Sequence, residues 1–361
     1  MFCGQRSCMM FRLIFLIAIL KLAVLPVTLT GQNYNALKTE VDKLVYLDAA
    51  VDFERSPAFI IGVIWGDSIF YLPYGSTDPD TSLLPTSQQQ FEIGELSHLF
   101  ATELFMLQLE NDQLQPESTL GEVLDSTEST VQLQQLLRHK SGFPRYFEGF
   151  GERETDPNDP FAHVSSDDLL NLLPNYLSSQ EETYQFSNLN FGLLALALER
   201  VSQSSYAQLL NNYIIEPLNL KHTGFNQVDS LMVTGFDKAK RPAAPWEWSG
   251  LSPAVGLKSS VEDLCTFFQY LMKQDRFSIL AEQATETGIR KNTRISWGWH
   301  VLQQKRYYPI FLQTGVTSGY RAYVALVPQT QTAVVVLSNS TYGLGGIGFM
   351  TLRMLNNYWK R

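Results

Sequence analysis

Glu95 and His98 are the titratable pair whose spacing most directly suggests chemistry. They stand three residues apart near the start of Ile93–Leu109, a segment whose apolar residues recur at helical spacing. Residues i and i+3 share one face of a helix, so the two side chains should be neighbours. Such a pair can stabilise a helix start or act as an acid–base pair. The Glu-x-x-His spacing also occurs in di-iron bundles, but no further inward carboxylates are evident, so no metal is expected.

The segments around this pair predict strands at both ends of the chain and helices in the middle. Near the N-terminus, Ala58–Trp65 and Ser68–Tyr74 flank the turn Gly66-Asp67 and predict a β-hairpin. Runs of strand length return late in the chain, at Ile295–Val301, Tyr307–Gln313, Tyr320–Pro328 and Thr332–Ser338. Helices are predicted at Val131–Arg138, Ser166–Leu177, Phe191–Leu210 and Ser260–Met272, and from about Phe349 to Trp359. One sheet built from both termini, with helices inserted, is therefore expected.

Several segments together carry a family resemblance. They are Phe91–Gly94 before a helix, Gln135–Pro144, Phe186–Leu194, Gly256–Leu264 and a closing strand pair that ends in Val334–Asn339. In this order and spacing, the chain resembles the β-lactamase-related serine hydrolases, which include class C β-lactamases, D-alanyl-D-alanine carboxypeptidases and related esterases. The resemblance implies an α/β (α+β), β-lactamase/transpeptidase-like fold, with an antiparallel sheet from both termini flanked by helices. It also implies a sheet domain of residues 32–90 and 255–361 and an inserted, mainly helical domain of residues 91–254.

The resemblance places the family's first two catalytic motifs on altered residues. Its Ser-x-x-Lys motif falls on Glu95 and His98, and a carboxylate cannot form the serine ester. Ser97 does not replace the nucleophile, because two residues along a helix rotate it by about 200° from Glu95. The Tyr-x-Asn motif becomes Phe186-Ser187-Asn188, which keeps the ring but loses the hydroxyl that shuttles protons. Asn188 is left to orient a ligand amide.

The third motif, Lys-Thr-Gly or His-Thr-Gly in the family, corresponds to Gln313-Thr314-Gly315. Gln313 can donate hydrogen bonds but carries no charge for a substrate carboxylate, and Thr314 and Gly315 are candidate binding residues. The backbone amides of Glu95 and Val316 occupy the family's oxyanion-hole positions. One hypothesis is therefore that the Glu95 carboxylate accepts these amides and plugs the site.

These substitutions predict a chain that has lost serine acylation and acts as a non-catalytic binding or regulatory homologue. Two alternatives stay open. One is a working esterase or peptidase that uses Glu95 and His98 or another serine, although Ser141, Ser187, Ser259 and Ser260 suit structural roles better. The other is a protein-interaction scaffold that uses Trp246 and Trp248, since exposed aromatic residues mark interfaces. Candidate ligands are peptidoglycan-like peptides, D-amino-acid termini or small esters.

The N-terminus has the pattern of a secretory signal. Arg6 and Arg12 precede an apolar run, Leu13–Leu20, that is too short to span a bilayer. Cleavage is predicted near Thr30 to Gln32, so residues 1–31 form the signal peptide. Gln32 stands where a lipoprotein site would need cysteine. We therefore expect a secreted or periplasmic protein without a lipid or transmembrane anchor in its mature form.

Composition bounds the partners further. The chain has 361 residues, 45% of them hydrophobic, which is typical of a globular protein. Loss of the signal peptide removes three basic and no acidic residues and moves the net charge from −9 to −12, which disfavours nucleic acid as a partner. Cys265 is then the sole cysteine, so no intramolecular disulfide is expected. The five histidines are scattered without zinc-ligand spacing, and no cofactor is expected.

Overall fold

The computed structural model of the chain describes residues 33–48, 51–78, 82–125, 128–146, 164–175, 183–246, 250–303 and 307–358. The chain divides into two units, Met1–Ala50 and Val51–Arg361. The described part of the first unit is a helix, α1, over 33–43 that continues as a wider turn at Leu44–Asp48. The expected signal peptide, residues 1–31, lies outside the described residues.

The second unit contains an eight-stranded antiparallel sheet made from both ends of the chain. In chain order the strands are β1 (Ala58–Trp65), β2 (Ser68–Gly75), β3 (Phe91–Glu92), β4 (Gly235–Phe236), β5 (Pro242–Ala243), β6 (Lys258–Ser259), β7 (Thr285–Glu286), β8 (Thr293–Ser296), β9 (Trp299–Leu302), β10 (Ile310–Val316), β11 (Arg321–Val327) and β12 (Thr332–Ser338). The large sheet has the order β2-β1-β12-β11-β10-β9-β8-β7, and β3–β6 and β4–β5 form two small pairs. This is the predicted sheet, and the fold class is confirmed.

Helices form most of the middle of the chain, and three more lie among and after the C-terminal strands. They are α2 (Ser97–Glu110), α3 (Leu120–Leu124), α4 (Leu133–Leu137), α5 (Ser166–Leu172), α6 (Leu189–Ser202), α7 (Tyr206–Leu210), α8 (Glu216–Leu218), α9 (Ser252–Val255), α10 (Val261–Lys273), α11 (Arg276–Glu282) and α12 (Gly345–Tyr358). The division into domains 32–90 with 255–361 and 91–254 remains a prediction.

The central strands are apolar along their whole length because both faces of the sheet are covered. A Cβ atom added to Gly62 of β1 would lie 2.4 Å from the Cys265 sulfur of α10, and Gly62 pairs with Val335 of β12. A Cβ on Gly348 of α12 would lie 3.1 Å from Val336. Successive residues of a strand point to opposite faces, so α10 and α12 lie on opposite sides of the sheet. Cys265 is fully buried there, as a small core residue.

Two predicted elements are each divided in the structure. The predicted helix Phe191–Leu210 is wrong as one element, because Gln203 adopts a left-handed backbone (φ 53°) that ends α6, and Ser205 caps α7. The predicted strand Ile295–Val301 is wrong in the same way. Gly298, at φ 72°, turns the chain between β8 and β9. The tryptophans Trp297 and Trp299 are both buried at this hairpin, as expected of packing residues.

Candidate functional site

Two backbone segments, the turn that carries Glu95 and strand β10, pack closely against each other. β3 pairs with β6, and the chain then passes through a single 3-10 turn, Gly94–Leu96, into α2. Gly94 has φ 52°, and a Cβ added there would lie 2.7 Å from the Val316 nitrogen. A Cβ on Gly315 would lie 1.9 Å from the Ile93 carbonyl oxygen. These two glycines let β10 contact the turn that carries Glu95, and this packing is the observed role of Gly315.

The Glu95 carboxylate points inward and is held by charge and backbone donors. Only 4% of the residue is exposed. The Val316 amide donates to Oε2 over 2.8 Å, and Nη2 of Arg145 donates to Oε1 over 2.9 Å. Burial raises the pKa of the Glu95 carboxyl, while the amides of Val316 and of Glu95 itself and the Arg145 charge act in the opposite direction. The carboxylate is therefore in contact with the Val316 amide, which is the contact that the plug hypothesis requires.

His98 is completely buried and does not pair with Glu95. Its ring stacks on Phe191, with centroids 3.8 Å apart and planes 2° apart. Neither ring nitrogen has a hydrogen-bond partner within the described part of the chain. Burial, followed by the neighbouring His139, lowers the pKa of His98 well below its ordinary value, so the imidazole is neutral. The expectation of an (i, i+3) pair is wrong, because the Glu95 carboxylate turns to Arg145 and Val316 instead.

Arg145 is the site residue that the sequence reasoning missed. It directly follows Gln135–Pro144, one of the segments that carry the resemblance, but it lies 50 residues from Glu95 in the chain. Its guanidinium lies 5.1 Å from the centroid of the Phe186 ring and 5.6 Å from that of Tyr146. The side chain is 54% exposed. The signal in the sequence that could have identified Arg145 is a basic residue directly after a motif segment.

Asn188 keeps the amide side chain of the family's second motif. It is fully buried, and its Nδ2 donates to the Tyr146 hydroxyl over 3.1 Å. Its side chain acts to lower the pKa of Glu95, against the larger opposite effect of burial. The neighbouring Phe186 is half-buried and stacks near His98, with ring centroids 5.8 Å apart. The second motif therefore supplies an amide and an apolar ring.

Three histidines that appear scattered in the sequence lie in this region. The rings of His98 and His139 are 5.6 Å apart. His139 accepts the Ser187 amide at Nδ1 over 3.2 Å, and burial lowers its pKa to about 3. His300 is hydrogen-bonded through Nε2 to the Tyr184 hydroxyl at 3.0 Å. The described residues contain no group of three or more His, Cys, Asp or Glu side chains suited to a metal ion.

Gln313, the first residue of the third motif, makes its hydrogen bonds within the protein. Gln313 is buried, and its Nε2 donates to the Gly298 carbonyl over 2.8 Å. Its Oε1 accepts the Thr314 amide over 2.9 Å. The Thr314 side chain is exposed. The Gln313 amide therefore supports the hairpin and its own strand, and Thr314 is the residue of this motif that a ligand could reach.

The serines considered as replacement nucleophiles serve structural roles. Ser97 donates to the Gly94 carbonyl over 2.7 Å and accepts the Leu257 amide over 3.3 Å. The other four bind Asn190 (Ser141, 2.7 Å), the Pro144 carbonyl (Ser187, 2.6 Å), Thr223 (Ser259, 2.8 Å) and the Asp263 amide (Ser260, 3.1 Å). A Ser–Lys or Ser–His hydrogen bond, which would activate a nucleophile, is not found for these five residues.

Trp246 is hydrogen-bonded to β3, the short strand that precedes Glu95. The Trp246 amide donates to Glu92 over 2.6 Å, and the residue is half-buried. Lys258 of β6, which pairs with Glu92 of β3, also donates to the Trp246 carbonyl over 3.5 Å. Trp248 lies outside the described residues.

The chain is similar in sequence to known proteins. The family profile "Beta-lactamase" matches residues 52–352. The chain is 25% identical over 310 residues to the D-alanyl-D-alanine-carboxypeptidase/endopeptidase AmpH of Escherichia coli K12, covering 77% of this chain and 78% of AmpH. It is 22% identical over 341 residues to protein Flp of Staphylococcus aureus N315, covering 84% of this chain but only 64% of Flp.

The fold also resembles that of solved structures. An octameric penicillin-binding protein homologue from Pyrococcus abyssi superposes with a TM-score of 0.75 at 19% identity, over 88% of this chain and 77% of that one. No helix within the described ranges is both long and apolar enough to cross a bilayer.

Proposed function

Since the chain belongs to the β-lactamase family, we propose that it is a member that does not form a serine acyl-enzyme and that acts as a binding or regulatory homologue. One observation carries the proposal: the Glu95 carboxylate, at the position of the family's nucleophile, accepts the Val316 amide over 2.8 Å. That amide would have to stabilise the oxyanion of an acylation intermediate. The Glu95 oxygen already bound to this amide would compete with such an oxyanion.

The base position supports the same proposal. Acylation needs a nucleophile and a base that act as one unit. His98 replaces the base, and its ring is neutral, buried and stacked on Phe191. No hydrogen bond joins it to Glu95, so these contacts give no support to an acid–base pair of the two. Phe186 has no hydroxyl to take part in proton transfer.

The ligand class of this proposal is inherited from the family. Peptidoglycan-like peptides and small esters are the candidates, and AmpH is itself a D-alanyl-D-alanine carboxypeptidase/endopeptidase by name. Because the chain spans less than two thirds of Flp, that protein's whole activity is no guide here. We also propose that the chain is secreted through its N-terminal 31 residues, since these have the charge and apolar pattern of a signal peptide.

The test is intact-mass analysis of the purified protein after incubation with a penicillin and with a reactive fluorophosphonate. An active class C β-lactamase serves as the positive control for labelling. We expect no adduct on the wild-type chain under conditions that label the control completely. A stoichiometric adduct, mapped to one serine by peptide analysis, would refute the proposal and identify an active hydrolase. An adduct on Glu95 would support the alternative of a remodelled hydrolase.

A further inference from the structure

The Glu95 carboxylate accepts hydrogen bonds from donors on other parts of the chain, as a bound carboxylate ligand would. We infer that the backbone amides of Glu95 and Val316, together with the Arg145 guanidinium, form a carboxylate-binding site that this chain fills with its own side chain. The inference rests on the proposed function, because a chain that acylated through this hole would need it empty. Arg145 is the positioning residue of this site.

The donors come from three separate parts of the chain. The Val316 amide on β10 and Arg145, which follows α4, bind different oxygens of the carboxylate at 2.8 and 2.9 Å. The amide of Glu95 itself, in the turn Gly94–Leu96 before α2, also acts to lower the pKa of the carboxyl and so favours its charged form. A carboxylate is acceptor-only and offers about four lone-pair sites, so it matches such a set of donors. A carboxylate that is only 4% exposed needs these donors, because an unpaired buried charge is costly.

Arg145 gives this site its preference for charge. Backbone amides alone also donate hydrogen bonds to a neutral carbonyl oxygen, whereas a hydrogen bond from a guanidinium to a carboxylate is charge-assisted and stronger. The rings of Phe186 and Tyr146 lie 5.1 and 5.6 Å from the Arg145 guanidinium and hold it over the site. Arg145 therefore fixes Glu95 in the hole rather than simply neutralising a surface charge.

The neighbouring strand edge is capped in the same manner. β9 pairs with β10 only as far as Leu312. Beyond it, the amides of Thr314 and Val316 are two residues apart and so point to the same side of the strand. The first donates to Gln313 Oε1 and the second to Glu95 Oε2. Two altered motif positions thus occupy the donors that an extended ligand would use for strand addition.

The experiment empties the site and offers it a free carboxylate. Glu95→Ala removes a fragment equivalent to acetate, so we titrate this variant with sodium acetate and follow its melting temperature at constant ionic strength. We expect acetate to raise the melting temperature of Glu95→Ala and not of the wild type. Acetamide, the neutral analogue, should have little effect. Adding Arg145→Gln should weaken acetate binding by about tenfold or more, since charge-assisted hydrogen bonds are lost.

Equal responses to acetate and acetamide, or unchanged acetate binding after Arg145→Gln, would overturn the inference. If Glu95→Ala does not fold, Arg145→Gln alone is tested by NMR of a chain labelled with 13C-glutamate, with Glu95→Gln used to assign the signal. The pKa of Glu95 should rise in Arg145→Gln and be partly restored in Arg145→Lys. An unchanged pKa would reject the role of Arg145. Acylation of the wild type overturns the proposed function, whereas failure of acetate binding with an unlabelled wild type overturns only this inference.

Discussion

Single buried side chains determine how this site responds to pH. His139 and His98 are both completely buried next to one another, and burial keeps both rings neutral. His139 has a folded-state pKa of about 3, far below the value of about 6.5 expected for an unfolded chain. Acid therefore protonates the unfolded state first. The contribution of neutral His139 to stability is present above about pH 6.5 and is lost as the pH falls toward the folded-state pKa of this residue.

His139→Asn should make the protein less sensitive to acid. Asparagine tolerates the left-handed backbone of this position (φ 53°) but cannot titrate. Between pH 6 and 4, the free energy of unfolding of the wild type should fall more steeply than that of the variant, by about 1.4 kcal/mol per pH unit. Urea unfolding at a series of pH values measures both slopes. Parallel slopes would show that folding does not lower the pKa of His139.

At the scale of elements, the site depends on how closely β10 approaches the turn before α2. Gly315→Ala should destabilise the protein by about 1–3 kcal/mol, as overpacking does, because the new Cβ would lie 1.9 Å from the Ile93 carbonyl oxygen. Gly346→Ala in α12 is the matched control, since a Cβ there meets nothing within 4 Å. Denaturant unfolding measures both. Equal stabilities of the two variants would contradict the close packing.

At the same scale, the sequence predicted the limits of some strands and missed a hairpin. β1 and β12 have the predicted limits, because strands buried on both faces leave continuous apolar runs. The hairpin of β8 and β9 was missed, since apolar residues continue through the turn at Gly298. Arg145 was missed for a different reason. Its partner Glu95 is distant in the chain, and no local periodicity encodes a contact made only by the folded backbone.

At the scale of the whole molecule, the chain keeps the family scaffold, and the proposed function holds that the positions of its catalytic motifs are altered. Glu95→Ser, His98→Lys, Phe186→Tyr and Gln313→His together should restore slow acylation by penicillin, because the nucleophile, base and proton shuttle then return to an intact framework. The triple variant that keeps Glu95 is the control and should stay unlabelled. Intact-mass analysis measures the adduct in both. A folded quadruple variant without adduct would show that the cleft itself has diverged.

The position of the Glu95 carboxylate is the central claim, and a crystal structure of the wild-type protein near neutral pH tests it most directly. We predict one carboxylate oxygen about 2.8 Å from the Val316 nitrogen and the other about 2.9 Å from the Arg145 guanidinium. A carboxylate turned into solvent, with a water or another anion on the Val316 amide, would contradict the account.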